Sequence, residues 1–222
     1  MRGRFGKIDY LNLLPFDFYI KRSKYSYLKR SLKRSHPAKI TELFLQRKVD
    51  AAFISSISSR GKKCLDAGIV AKGEVLSVFV CKGKDIEDSE SKSSNALKKI
   101  LGLKGEVVIG NKALQLYHNR QKECKDLALA WREETGLPFV FAIFCINSNE
   151  KFYKKVVKGF LKHKIKIPYY IKKQEAIKLN LPIELIELYL NKIGYNIGRK
   201  EKKAIKLFLK KEKELRIKKW QE

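Results

Sequence analysis

The sequence predicts an α/β protein of two lobes, with mixed, mostly parallel sheets and a helical C-terminal region. Three observations carry this reading. Short, β-rich apolar runs alternate with amphipathic helical stretches through the first two thirds of the chain, the pattern of strands covered by helices. From residue 149 onward the periodicity is helical throughout. Two strongly apolar segments, near 75–81 and 138–145, are suited to cross between lobes. Such crossings gather 1–78 and 145–222 into a larger lobe and leave 79–144 as a smaller one, with a ligand cleft between them at strand carboxyl ends.

Taken in order, RFGKIDYL predicts an opening strand, and Pro15 after NLL predicts a turn and a helix start. Over 37–49, Ile40, Leu43, Phe44 and Val49 share one helical face, and Pro37 suits the first turn. DAAFISSI (50–57) reads as a buried strand ending in two serines. The β-branched, glycine-punctuated stretch 67–83 reads as a strand pair or one crossing strand. A polar loop over 85–94 leads into a helix over 95–103, and 105–114 reads as strand, turn and helix start. Over 125–136, Leu127, Ala128 and Trp131 face inward on a helix closed by Gly136. The apolar run 137–146 is a strand. Helices follow over 149–163, 168–179, 183–193 and 199–217, broken at Pro168, Pro182 and Gly198.

A net charge of +27 raises nucleic acid as a class of partner. Lysines outnumber arginines 39 to 11, run from Lys7 to Lys219, and interleave with apolar residues at helical spacing in the last third. Dispersed, arginine-poor charge marks a solvated surface, so no nucleic-acid partner is expected. The charge still attracts small dianions. Cys64, Cys81, Cys124 and Cys145 show no C-x-x-C spacing, and His36, His118 and His163 are isolated. No metal site is therefore expected, and the cysteines are expected to be reduced. The basic N-terminal segment is too broken by charge and Pro15 for a signal peptide, and no apolar run nears the roughly 20 residues of a membrane helix. These features predict a soluble, cytoplasmic chain without a membrane partner.

Polar residues gather at the expected strand exits. Tyr10 and Asn12 follow the first strand, Ser55 and Ser56 follow AAFI, and Gly110 and Asn111 follow EVVI; Ser91, Ser93, Ser94 and Asn95 precede a helix. Hydroxyls and amides beside the free N–H groups of helix N-termini receive carboxylates or phosphates. Each cluster alone reads as an ordinary cap or turn; four together point to one shared anion cleft. There is no G-x-S-x-G, P-loop, Rossmann glycine triplet or H-E-x-x-H.

Several segments resemble the chorismate dehydratases of the futalosine route to menaquinone. KIDYLNLLPF (7–16), VDAAFISSI (49–57), VIGNKAL (108–114), DLALAWREETGLPFVFAIF (126–144) and YLNKIGYNIGRKE (189–201) occur in family order across nearly the whole chain. Asn111 stands where the family commonly has an acidic residue, Phe144 where a Trp often stands, and 83–105 is abbreviated. The resemblance implies a two-lobed type II periplasmic-binding-protein fold, no cofactor, and loss of water from chorismate to give 3-enolpyruvylbenzoate. Chorismate is a small dianion, which suits the polar clusters. The proton lost is vinylogously acidified by the ring carboxylate, so donors to that carboxylate would stabilise the charge that develops.

On this resemblance Asn12, Ser56 and Ser94 are the expected catalytic residues, with Asn12 also orienting the departing hydroxyl. Tyr10, Ser55, Ser93, Asn95, Gly110, Asn111, Phe139 and Phe141 are expected to bind substrate, the two phenylalanines as an apolar wall. Two bases stand open, the substrate's own enolpyruvyl carboxylate and Asp9. The rival readings are the sister 1,4-dihydroxy-6-naphthoate synthase, whose opening motif differs, a non-catalytic solute sensor of the same fold, and a nucleic-acid binder supported by charge alone. A homodimer is the default assembly.

Overall fold

The computed structural model describes residues 4–120, 123–163 and 165–221. Strand β1 (Phe5–Ile8) is buried along its length and pairs in parallel with β2 (Leu32–Ser35) and β3 (Ala51–Ser55). Between β1 and β2 the chain forms α1 (Leu14–Arg22), with Pro15 in its first turn. Pro37 opens α2 (Pro37–Leu45), where a missing N–H leaves no bond unmade. The His36 ring caps that helix, accepting the Lys39 N–H at 3.4 Å.

The chain leaves the sheet through β4 (Cys64–Ala71) and re-enters through β8 (Phe139–Ile146), which slots antiparallel between β3 and β4. Strand β9 (Ile193–Asn196) pairs antiparallel with β4, giving the order β2-β1-β3-β8-β4-β9. A second sheet, β6 (Glu106–Ile109), β5 (Val78–Cys81) and β7 (Cys124–Asp126), is antiparallel throughout. The larger sheet is mixed, parallel only in the β1–β2 and β1–β3 pairings, so the mostly parallel expectation is corrected. The returning strand β8 runs opposite to both of its neighbours, β3 and β4, and β9 runs opposite to β4. Residues 139–144, expected in the smaller lobe, run within the six-stranded sheet.

Around the small sheet pack α3 (Lys92–Ile100), α4 (Gly110–Asn119) and α5 (Leu127–Thr135). The C-terminal part supplies α6 (Glu150–Lys162), α7 (Tyr169–Leu179), α8 (Ile183–Lys192) and α9 (Arg199–Gln221). Asp126 secures the passage between sheets. One carboxylate oxygen accepts the Val75 and Leu76 N–H groups at 2.8 and 2.9 Å. The other caps α5 through Ala128 and Leu129 at 2.9 and 3.0 Å. Burial raises this carboxyl above its ordinary pKa, against the opposing pull of those four N–H groups.

The core of the larger sheet is aromatic. Phe16 meets Phe5, Phe53, Phe144 and Phe160 with ring centroids 5.0–6.0 Å apart. Phe144, fully buried, sits in this cluster and also meets Tyr153. Cys64 opposes Cys145 across β4 and β8, and Cys81 opposes Cys124 across β5 and β7. Both pairs are disulfides, which corrects the expectation of reduced cysteines. Sequence separations of 81 and 43 hid a proximity that strand register creates. Among the described residues no helix is long and apolar enough to cross a membrane, and no cluster of His, Cys, Asp and Glu could hold a metal ion.

Candidate active site

Polar groups from both sheets meet in one cleft. The exits of β1 and β3 contribute Tyr10, Asn12 and Ser55, and the first turns of α3 and α4 contribute Ser91, Ser94 and Gly110. Phe141 from β8 and Val75 and Ser77 from the crossing segment complete the wall. The atom-free space is about 560 Å³, part of it open to solvent.

Helix α3 begins three residues earlier than its periodicity suggests, so Ser93, Ser94 and Asn95 lie inside its first turn instead of before it. Ser91 is the cap: its Oγ accepts the Ser94 N–H at 3.2 Å and donates to Ser94 Oγ at 2.7 Å. Ser93 is buried behind the cleft wall, where its Oγ lies 2.6 Å from Ser55 Oγ and 3.1 Å from Ser56 Oγ. It also accepts the Ile57 N–H at 3.2 Å. These bonds join α3 to the end of β3.

Asn12 carries a buried Oδ1 with no hydrogen-bond partner in the protein. The Tyr189 hydroxyl is fully buried near the Asn12 and Ser77 side chains, and burial pushes its pKa up to about 12 against their opposing pull. The buried Tyr195 hydroxyl donates to the Asn12 carbonyl at 2.5 Å. Tyr195 thus holds the Asn12 backbone from behind while its amide oxygen remains an unused acceptor, which in a native fold calls for an explanation.

The Tyr10 hydroxyl donates to the Glu90 carboxylate. Burial, and then Glu90, raise the Tyr10 pKa far above its ordinary value, so the hydroxyl keeps its proton. Gly110 makes room for the Tyr10 ring. A Cβ there would stand 2.7 Å from the ring, and φ of +66° is strained for any other residue.

Of the residues expected from sequence, Tyr10, Asn12, Ser55, Ser94, Gly110 and Phe141 line the cleft together. Ser56 and Ser93 form the hydrogen-bonded layer behind it. The others are corrected. Asn95 faces the preceding loop, where it accepts the Asp88 N–H at 3.0 Å and donates to the Asp88 carbonyl at 2.7 Å. Phe139 is core, packed against Trp131, Phe141 and Phe208; regular alternation would place it on the same face as Phe141, but the β4–β8 pairing shifts register between Ile69 and Val70, opposite Phe141, and only Phe141 of the pair lines the cleft. Asn111 does not line the cleft, although its Oδ1 is also buried without a partner. Asp9 is half-exposed beside Lys7, whose ammonium also pairs with Asp17, and it does not reach the cleft. Glu90, Ser77 and Tyr189 went unrecognised, since a loop Glu and two residues far along the chain carry no local signal.

The chain is 44% identical, over 93% of its length and 96% of the relative's, to the chorismate dehydratase of Campylobacter jejuni. Residues 96–214 match the menaquinone biosynthesis family. The chain belongs to that family. The menaquinone biosynthesis match runs from α3 through most of α9, and so takes in the cleft contributions of α4 and β8. A solved protein of Archaeoglobus fulgidus superposes with a TM-score of 0.68 at 13% identity, covering 97% of this chain and 98% of that one. The periplasmic aliphatic sulphonate binding protein of Escherichia coli gives 0.53 at 14% identity, covering 96% and 87%. At such identities the likeness concerns the fold alone, which is periplasmic-binding-protein-like.

Proposed function

We propose that this protein is a chorismate dehydratase, removing water from chorismate to give 3-enolpyruvylbenzoate, the opening step of futalosine-route menaquinone synthesis. The observation that carries this reading is the 44% identity to a chorismate dehydratase over nearly the full length of both chains. The cleft supports it, because the Ser91 and Ser94 hydroxyls at the α3 N-terminus, with Ser55 at the end of β3, suit carboxylates. In this reading Ser55, Ser91 and Ser94 receive substrate carboxylates, with Ser56 and Ser93 holding Ser55 in place. The unpartnered Asn12 Oδ1 accepts the hydroxyl that departs, and Phe141 packs on the ring. With Asp9 outside the cleft, the substrate's enolpyruvyl carboxylate takes the proton. The C–H electron pair passes into the ring, the C–O bond breaks, and the enolpyruvyl carboxylic acid passes its proton to the departing hydroxide, so water leaves as the ring becomes aromatic.

We place the lobe division at the crossings, with the smaller lobe ending ahead of β8 and so short of residue 144. The proposed location is the cytoplasm; two disulfides, rare in reducing compartments, count against it. A homodimer is the assembly for sedimentation to test. The deciding experiment mixes purified protein with chorismate and follows 3-enolpyruvylbenzoate by chromatography and mass. Product above the uncatalysed rate supports the reading. Chorismate bound but not converted would favour a sensor and overturn it.

A further inference from the structure

Glu90 is the only carboxylate that lines the cleft among the described residues, and it stands where an anion is expected to bind. It accepts the Tyr10 hydroxyl and adjoins the Ser91–Ser94 cap of α3. Among the described residues no Lys, Arg or His forms an ion pair with it. Its backbone is fixed, because the Glu90 N–H donates to Asp88 Oδ1 at 2.7 Å and Asn95 bonds Asp88 on both its N–H and its carbonyl. Its side chain is half-buried, with a route to solvent.

A dianion entering this space meets a carboxylate already seated on one of its hydrogen-bond donors. Two like charges a few ångströms apart in a partly desolvated cleft lower affinity by about tenfold or more. The carboxylate must therefore leave as the ligand enters. We propose that Glu90 is a specificity-determining residue, an internal carboxylate that competes with the substrate's own carboxylate for the Tyr10 hydroxyl beside the α3 cap. Weakly held anions fail to displace it. A dicarboxylate, anchored by its second group elsewhere in the cleft, does displace it. This rests on the chorismate reading for its natural ligand, though the competition itself concerns any aromatic dicarboxylate.

The test compares the unaltered protein with Glu90→Gln and Glu90→Ala, using isophthalate binding by titration calorimetry and chorismate turnover. Competition requires isophthalate to bind about tenfold tighter to both variants, with KM for chorismate lower and kcat/KM higher by a similar factor. Unchanged or weaker isophthalate binding, or no isophthalate binding by any form, overturns it. So does a fall in kcat/KM, which would make Glu90 a participant in the chemistry. Tighter isophthalate binding without any chorismate turnover would leave the competition standing and remove the proposed reaction. Turnover with neither constant changed would do the reverse.

Discussion

At the scale of single residues, Asn12 carries the sharpest expectation. Its carbonyl is held by Tyr195, its side chain lies near the buried Tyr189 hydroxyl, and its Oδ1 is buried without a protein partner. A group so arranged is preorganised to accept a hydrogen bond from a bound molecule. Asn12→Ala is expected to lower kcat for chorismate by about 10²–10³, the cost of one oriented polar group at a reacting centre. Steady-state kinetics at saturating substrate checks this; full activity would remove Asn12 from the mechanism. Asn12 was legible in sequence because Y-L-N-L-L-P places an amide directly after a strand. Glu90 was not, since nothing in a polar loop says which of its carboxylates turns inward.

At the scale of elements, the passage between sheets depends on Asp126. Its four backbone acceptances join the crossing at Val75 and Leu76 to the start of α5. Leu76 has φ of +59°, a conformation its own side chain disfavours, so the segment relies on this outside support. Asp126→Ala leaves buried N–H groups unpaired and is expected to cost about 3 kcal/mol in urea unfolding. Because Val75 lines the cleft, KM should rise as well. The family motif drew attention to D-L-x-x-x-W, but not to the partners of Asp126, fifty residues earlier in the chain. Strands β2, β7 and β9 were likewise illegible, being three or four residues long and too short for period-2 alternation to register.

At the scale of the whole molecule, charge and crosslinks lead to two further expectations. A net charge of +27 attracts a dianion, so kcat/KM for chorismate should fall as salt is raised from about 10 to 150 mM while kcat moves less. Stopped-time assays across that range check it, and a flat response would show that the lysines serve only as a solvated coat. The disulfides close loops of 81 and 43 residues, one within each sheet. Their reduction is expected to cost about 2–4 kcal/mol each. Thiol titration of the unfolded protein, with and without reductant, counts the bonds, and thermal melts under the same two conditions weigh them.

The sequence by itself determined the alternation of strands and helices, the buried faces, the family and most of the polar groups that meet in the cleft. These are local signals: side-chain period, capping residues, glycines and short motifs, each written within a few positions of the chain. Only the tertiary structure decided which of those groups face one another. Strand direction and the pairing of cysteines follow from register and from the return of β8 beside β4, the sorting of Phe141 to the cleft and Phe139 to the core from the register shift in that pairing, and the entry of Glu90 from the loop that leads into α3. Such relations join residues tens of positions apart, and within the strands a one-residue change of register would turn the side chains to the other face.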